Sequence, residues 1–304
     1  MHTVILHMTA LIACGVIWRL IRPGGLDADI TRNVLTSLVY YLLLPALVIQ
    51  VLWKAPLGLS SFGIAAGAAA GVLASILLST LICRTCQHDG KVTGAVVLAA
   101  SFPNATYMGL PVLESLYGEV GRSIAIQYDL FACTPLLLTV GILIARIYGQ
   151  SDNQESVWRS MLKVPPLWAA LFGVLINFSG IDMPAGLDQG LEMLAAGVIP
   201  LMLFSLGLSL RWDTIKISRL PTVIPIVMLQ LAVAPLIVWG VAQGVGLEGV
   251  VLAGTVLEAA MPSMVIGIVL CDRYGLDTAL YAAAVTLTTL LSLFTLPLWS
   301  GLLS

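Results

Sequence analysis

The sequence predicts an all-α polytopic membrane protein: ten transmembrane helices in two inverted five-helix repeats, with helices four and nine broken in mid-span. Three observations carry that prediction. Of 304 residues 59% are hydrophobic and only 10% charged, with mean hydropathy +1.00, whereas a soluble domain carries about 25% charged residues. Apolar stretches of roughly 17–25 residues, the length that crosses a hydrocarbon core, follow one another with little between them. Landmarks of the first half recur, in order, in the second.

The spans run over residues 3–18, 33–53, 62–83, 92–116, 122–146, 164–181, 189–210, 221–244, 248–271 and 277–300. The first lacks the basic start of a signal peptide and is followed by Arg19 and Arg22, so it reads as a span that begins outside. The same missing charge argues against reading Leu11-Ile12-Ala13-Cys14 as a lipoprotein cleavage box. Span three carries Gly63, Gly67, Gly71, Ser75 and Ser79 at a spacing of four. Such a stripe lets helices approach closely, within one subunit or, as the alternative, across a homodimer seam. The longest connection, Ile147 to Lys163, has 17 residues. Residues 1–148 then form the first repeat, 149–163 a cytoplasmic linker and 164–304 the second repeat, with no soluble domain.

Orientation follows from Lys and Arg, which are retained on the cytoplasmic side. One set of alternate loops holds Arg19, Arg22, Arg32, Arg84, Lys91, Arg146, Arg159, Lys163, Arg211, Lys216, Arg219 and Arg273. The other holds Lys54 and Arg122, twelve against two. Both termini are expected outside, in a cell inner (plasma) membrane. The net charge of −2 averages over both sides, and nothing supports a nucleic-acid partner.

The repeat rests on three landmarks. Pro45 in span two and Pro200 in span seven are 155 residues apart, Pro103 and Pro262 are 159 apart, and Tyr117-Gly118 and Tyr274-Gly275 are 157 apart. Five spans per half is odd, so the second copy enters the membrane upside down.

Spans four and nine carry the chemistry. Ser101-Phe102-Pro103-Asn104-Ala105-Thr106-Tyr107 interrupts one, and Met261-Pro262-Ser263-Met264 the other. Proline removes a backbone donor and clashes with the preceding turn, so Pro103 and Pro262 end one half-helix and leave the next to begin at Asn104 or Ser263, both good N-cap residues. Two half-helix starts together offer about one positive charge, a match for one carboxylate. The alternative is that the prolines merely kink their spans. Asn104 is the first candidate to bind a carboxylate. Ser101, Thr106, Tyr107 and Ser263 lie within two turns of the breaks and can line the same cavity or simply bond within the helix packing.

Two acids stand inside spans, where ionisable residues are expensive and usually functional. Glu258 lies one turn before Pro262, and Asp129 about two turns into span five. Either can couple transport to H+ by protonation, or to Na+ as a fixed charge, or instead face a water-filled vestibule. Glu192 is interfacial, and Gln127 and Gln230 are polar residues of second rank. Cys83 and Cys86 form one short-spaced pair, too little for a zinc site. No nucleotide-binding loop or hydrolase motif is present, so no cofactor and no enzymatic activity is expected.

Asn104 with Gly109-Leu110-Pro111, followed by Leu116-Tyr117-Gly118, in span four of a ten-span chain resembles the auxin efflux carrier family, which includes plant auxin carriers and bacterial malate and malonate permeases. The likeness covers the whole chain in topology and is sharp from about Leu98 to Asp129. It implies a fold shared with bile-acid symporters and sodium/proton antiporters, in which broken spans four and nine cross at mid-membrane, and passage of a small organic anion. The chain departs from the plant carriers in its short cytoplasmic loop and in having no acid or Lys in span three. The expected function is a secondary transporter of a small organic anion by alternating access, its substrate held at the crossing. The alternatives are a cation/proton antiporter on the same scaffold and a non-transporting membrane sensor.

Overall fold

The computed structural model describes residues 2–149 and 161–303. Most of the expected linker, Arg159 included, lies outside them. All regular structure among the described residues is helical: α1 (His2–Ile21), α2 (Ala28–Lys54), α3 (Leu59–Thr85), α4 (Gly90–Ser101), α5 (Ala105–Tyr148), α6 (Pro165–Ser179), α7 (Ala185–Ala195), α8 (Val198–Ser209), α9 (Ile217–Gly244), α10 (Gly249–Ala259), α11 (Gly267–Tyr274) and α12 (Thr278–Leu302). Six helical runs among them are long and apolar enough to cross a membrane, and four shorter apolar helices accompany them. The ten apolar stretches drawn from the sequence fall on these helices. Of the four short ones, α4 and α10 end at the two helix breaks, α6 has 15 residues, and α1 is apolar over Leu6–Ile21.

Local chemistry explains the boundaries. Asp27 accepts from the amides of Asp29 and Ile30 at the start of α2, Asp89 from Val92 at the start of α4, and Asp277 from Leu280 at the start of α12. Each satisfies donors that a helix start leaves without an intrahelical acceptor. The 44-residue run α5 is folded in two at Gly118, whose φ of 59° and ψ of −137° suit glycine. In a straight helix Glu114 and Arg122 would lie about 12 Å apart along the axis, yet their side chains bond at 2.5 Å. Past that corner Gly121 packs so closely on the Leu113 carbonyl that no Cβ fits.

Four of the prolines inside helices leave the same mark. Wide π turns at Val39–Leu43, Ala105–Gly109, Asp129–Cys133 and Leu229–Val233 end two residues before Pro45, Pro111, Pro135 and Pro235. A proline ring collides with the carbonyl four residues back, and one widened turn moves that carbonyl away without breaking the helix.

Beside an apolar core, large apolar side chains also lie on the outside, unlike in a soluble protein. Leu59, Phe62, Phe178, Met193 and Phe294 are exposed, whereas Gln50, Ser75, Asn104, Gln127, Asp129, Gln230 and Glu258 are buried. Apolar side chains outside and polar ones within suit a lipid environment. α1 packs on α8 and α6 on α2, while α3 packs against α4 and α9. The small-residue stripe of α3 is taken up inside the chain: Gly63 lies against Leu247, Gly67 against Thr255 and Gly71 against Val238.

Candidate functional site

The two helix breaks meet. Between α4 and α5, and between α10 and α11, the chain leaves helical geometry, and Pro103 and Ser263 pair as an antiparallel bridge. The Asn104 amide donates to the Pro262 carbonyl at 2.7 Å, and the Met264 amide donates to the Phe102 carbonyl at 2.9 Å. In a medium without water, each broken helix thus supplies partners for the other's freed backbone groups. Neighbouring helices complete the accounting. Gln230 Nε2 donates to the Met261 carbonyl at 3.0 Å, Tyr281 Oη to the Met264 carbonyl at 2.8 Å, and the Ser263 amide to Thr288 Oγ1 at 3.1 Å.

This pairing corrects the expected caps. Ser263 starts no helix: its hydroxyl donates to the Ala99 carbonyl at 2.7 Å, at the carbonyl end of α4, and α11 begins only at Gly267. Residues next to Pro262 are drawn into the bridge and so are unable to adopt helical geometry there. Asn104 precedes a wide turn, but its side chain does not cap it. Its carbonyl accepts from the amides of Met108 and Gly109, each at 3.1 Å, and its Nδ2 is buried without a partner.

Asn104 belongs to the wall of a cleft of about 80 Å3 lined by Tyr40, Asn104, Thr106, Tyr107, Asp129 and Thr134 among apolar neighbours. The Asp129 carboxylate accepts from the hydroxyls of Thr106 and Thr134, the latter at 2.9 Å. Of the expected site residues, Asn104, Thr106, Tyr107 and Asp129 therefore share one cavity. Pro103, Pro262 and Ser263 form the crossing behind it, and Ser101 is buried with an unpaired hydroxyl outside its lining.

Glu258 lies off the cavity wall. It ends α10 at 0% exposure, and both carboxylate oxygens lack a hydrogen-bond partner. It packs onto Gly109, where any Cβ would overlap the carboxylate. Tyr128, Asp129 and Cys133 are the titratable groups within its electrostatic reach. Tyr40, Thr134 and the cradle at Gly109 were not foreseen from the sequence. Thr134 follows Asp129 by five residues across a wide turn, a spacing that an ordinary helical register does not bring together.

The family model for membrane transport proteins matches residues 11–300. The chain belongs to the membrane transport protein family. Among curated members of this family and its relatives, an uncharacterized transporter of Methanothermobacter thermautotrophicus is 32% identical over 216 residues, covering 71% of this chain and 70% of that protein. The uncharacterized transporter YfdV of Escherichia coli is 23% identical over 207 residues, 66% of this chain and 65% of YfdV. Auxin efflux carrier component 1 of Arabidopsis thaliana is 28% identical over 143 residues, 45% of this chain but 23% of the plant carrier. With its several apolar helices, this membrane transport protein is a multi-pass transporter of the auxin efflux carrier type.

Proposed function

We propose that the protein is a secondary transporter of a small organic anion, which it carries by alternating access and holds at the crossing of the two broken helices. One observation carries this reading: Asn104, whose amide nitrogen is buried and unpaired, lines a cavity built on the paired breaks. A buried donor without a partner is rare in a finished structure. A carboxylate would accept from it, and the amides that open α5 at the same spot have no acceptor in their own helix.

Ten spans in two inverted repeats fit the packing. Exchanging spans one with six and two with seven turns the α1–α8 contact into the α6–α2 contact, and both occur. Exchanging four with nine and five with ten turns α4–α12 into α10 against the second half of α5, and both occur, the latter where Gly254 lies against Ile124. The bias of cationic loops supports a plasma-membrane orientation with both termini outside.

Asp129 and Glu258 would couple the anion to H+. An ionised carboxylate beside the site repels a bound anion, and protonation removes the repulsion. A cation/proton antiporter is the second reading, favoured by these same two acids, which the fold brings near one another from spans five and nine. The separating experiment is a binding screen of mono- and dicarboxylates against purified protein, with and without sodium and at two pH values. Carboxylate binding that tightens at the lower pH supports the anion carrier. Sodium-dependent signal without any carboxylate binding supports the antiporter.

A further inference from the structure

A second cavity, of about 180 Å3, lies between the end of α2, the segment leading into α3, and α5 just past its corner. It shares no lining residue with the cleft at the crossing. Gln50 and Gln127 line it at 5% and 4% exposure. Each spends its amide N–H within the chain: Gln50 Nε2 donates to Asp188 Oδ1 at 2.8 Å, and Gln127 Nε2 donates to Ser123 Oγ at 2.8 Å. Both amide oxygens are left buried and without a donor. Arg122, on the same wall, gives Nη2 to Glu114 at 2.5 Å and Nη1 to Glu192 at 3.5 Å, and its Nε is buried and unpaired.

One cavity thus gathers two acceptors in need of donors and one charged donor in need of an acceptor. Buried polar atoms of this kind are rarely left unmatched. A metal cation would suit the amide oxygens and Glu119 but not Arg122 and Lys54, two cations that line the same space against that single carboxylate. A plain carboxylate would suit Arg122 and leave the amide oxygens unmet. A carboxylate that also bears hydroxyl groups answers all three, with its charge on Arg122 Nε and its hydroxyls donating to Gln50 and Gln127. We infer that the protein has a second ligand site, away from the crossing, for a hydroxylated carboxylate. Gln127 lies only two residues from Asp129, about 3 Å along the helix axis, so one helix presents a different polar residue to each cavity.

The test is equilibrium binding of labelled tartrate and of succinate, which differ only in two hydroxyls, to full-length protein in lipid nanodiscs. In the Asn104→Ala background tartrate should still bind, at one per chain and at least tenfold more tightly than succinate. Adding Gln127→Met, close in shape but without the amide, should weaken tartrate at least tenfold and leave succinate nearly unchanged. Gln50→Met should do the same, which covers the case in which either variant fails to fold. Arg122→Lys, which keeps the charge and loses Nε–H, should weaken both ligands. If the Asn104→Ala protein binds no tartrate, or binds both ligands alike, or if folded Gln127→Met and Gln50→Met bind as before, the cavity holds water only and the inference falls. The crossing is judged separately, by whether wild-type binding has a component that Asn104→Ala removes.

Discussion

Replacing Glu258 by glutamine removes a carboxylate that is wholly buried and has no hydrogen-bond partner, while keeping its shape. The carboxylate rests on Gly109, five residues beyond Asn104, or about 7.5 Å along the axis at helical rise. At an effective dielectric of about 20, two like unit charges at that distance repel by about 2 kcal/mol, roughly a thirtyfold difference in affinity. An anion at Asn104 should therefore bind about thirtyfold more tightly to the protonated form, so wild-type affinity rises as pH falls. Glu258→Gln should bind across pH 5–8 as wild type does at the acid end. The assay is equilibrium carboxylate binding to purified protein over that range, with Asp129→Asn alongside because Asp129 reaches both Glu258 and the cavity. Superimposable pH profiles for wild type and Glu258→Gln would refute the reasoning and leave Glu258 a packing residue.

Asn104→Ala should weaken carboxylate binding by roughly ten- to a hundredfold, the worth of a hydrogen bond to a charged group. Because its side chain caps nothing, thermal stability should scarcely move, and a large fall in melting temperature would contradict this assignment. Ser263→Ala should do the opposite: the Ala99 carbonyl loses its donor, destabilising the protein by about 1–3 kcal/mol, with any surviving folded protein still binding ligand. Gly109→Ala should drive a methyl into the Glu258 carboxylate and cost about 1–3 kcal/mol by overpacking, readable as a lowered melting temperature that the Glu258→Ala exchange relieves. A reporter fused after Ser304 should read as periplasmic, and a cysteine replacing Asn153 should label only from the cytoplasm; the reverse pattern would overturn the ten-span count.

Much of this architecture is legible in the sequence because membrane spans and their interruptions are local signals. Apolar length locates the helices, and Pro103 and Pro262 mark where two of them stop. Asn104 stands out because a polar amide in an apolar span needs a reason. The pairing of Pro103 with Ser263 is another matter, since it joins residues about 160 apart, and local propensity pointed Ser263 toward a cap that the bridge then denied it. The same limit hid the Glu258 cradle. Gly109 is unremarkable along the chain, and only the approach of α10 turns its missing side chain into space for a carboxylate. Thr134 meets Asp129 through a widened turn that proline provokes but whose register the residue order does not state.

The bridge between the breaks bears on how the molecule moves. Parting it would strand the Asn104 and Met264 amides and two carbonyls where there is no water, at several kcal/mol for each group. In the alternating-access reading proposed above, that cost favours the two interrupted helices travelling as a single body. On that reading the sliding surfaces then lie elsewhere, between the rest of the bundle and a group of α1, α2, α6 and α8 in which Arg19 bonds to the Leu208 carbonyl and Asn177 to the Trp53 carbonyl. A cross-link locking Pro103 to Ser263 would leave such motion free, whereas one tying α2 to α5 across the cleft would stop it.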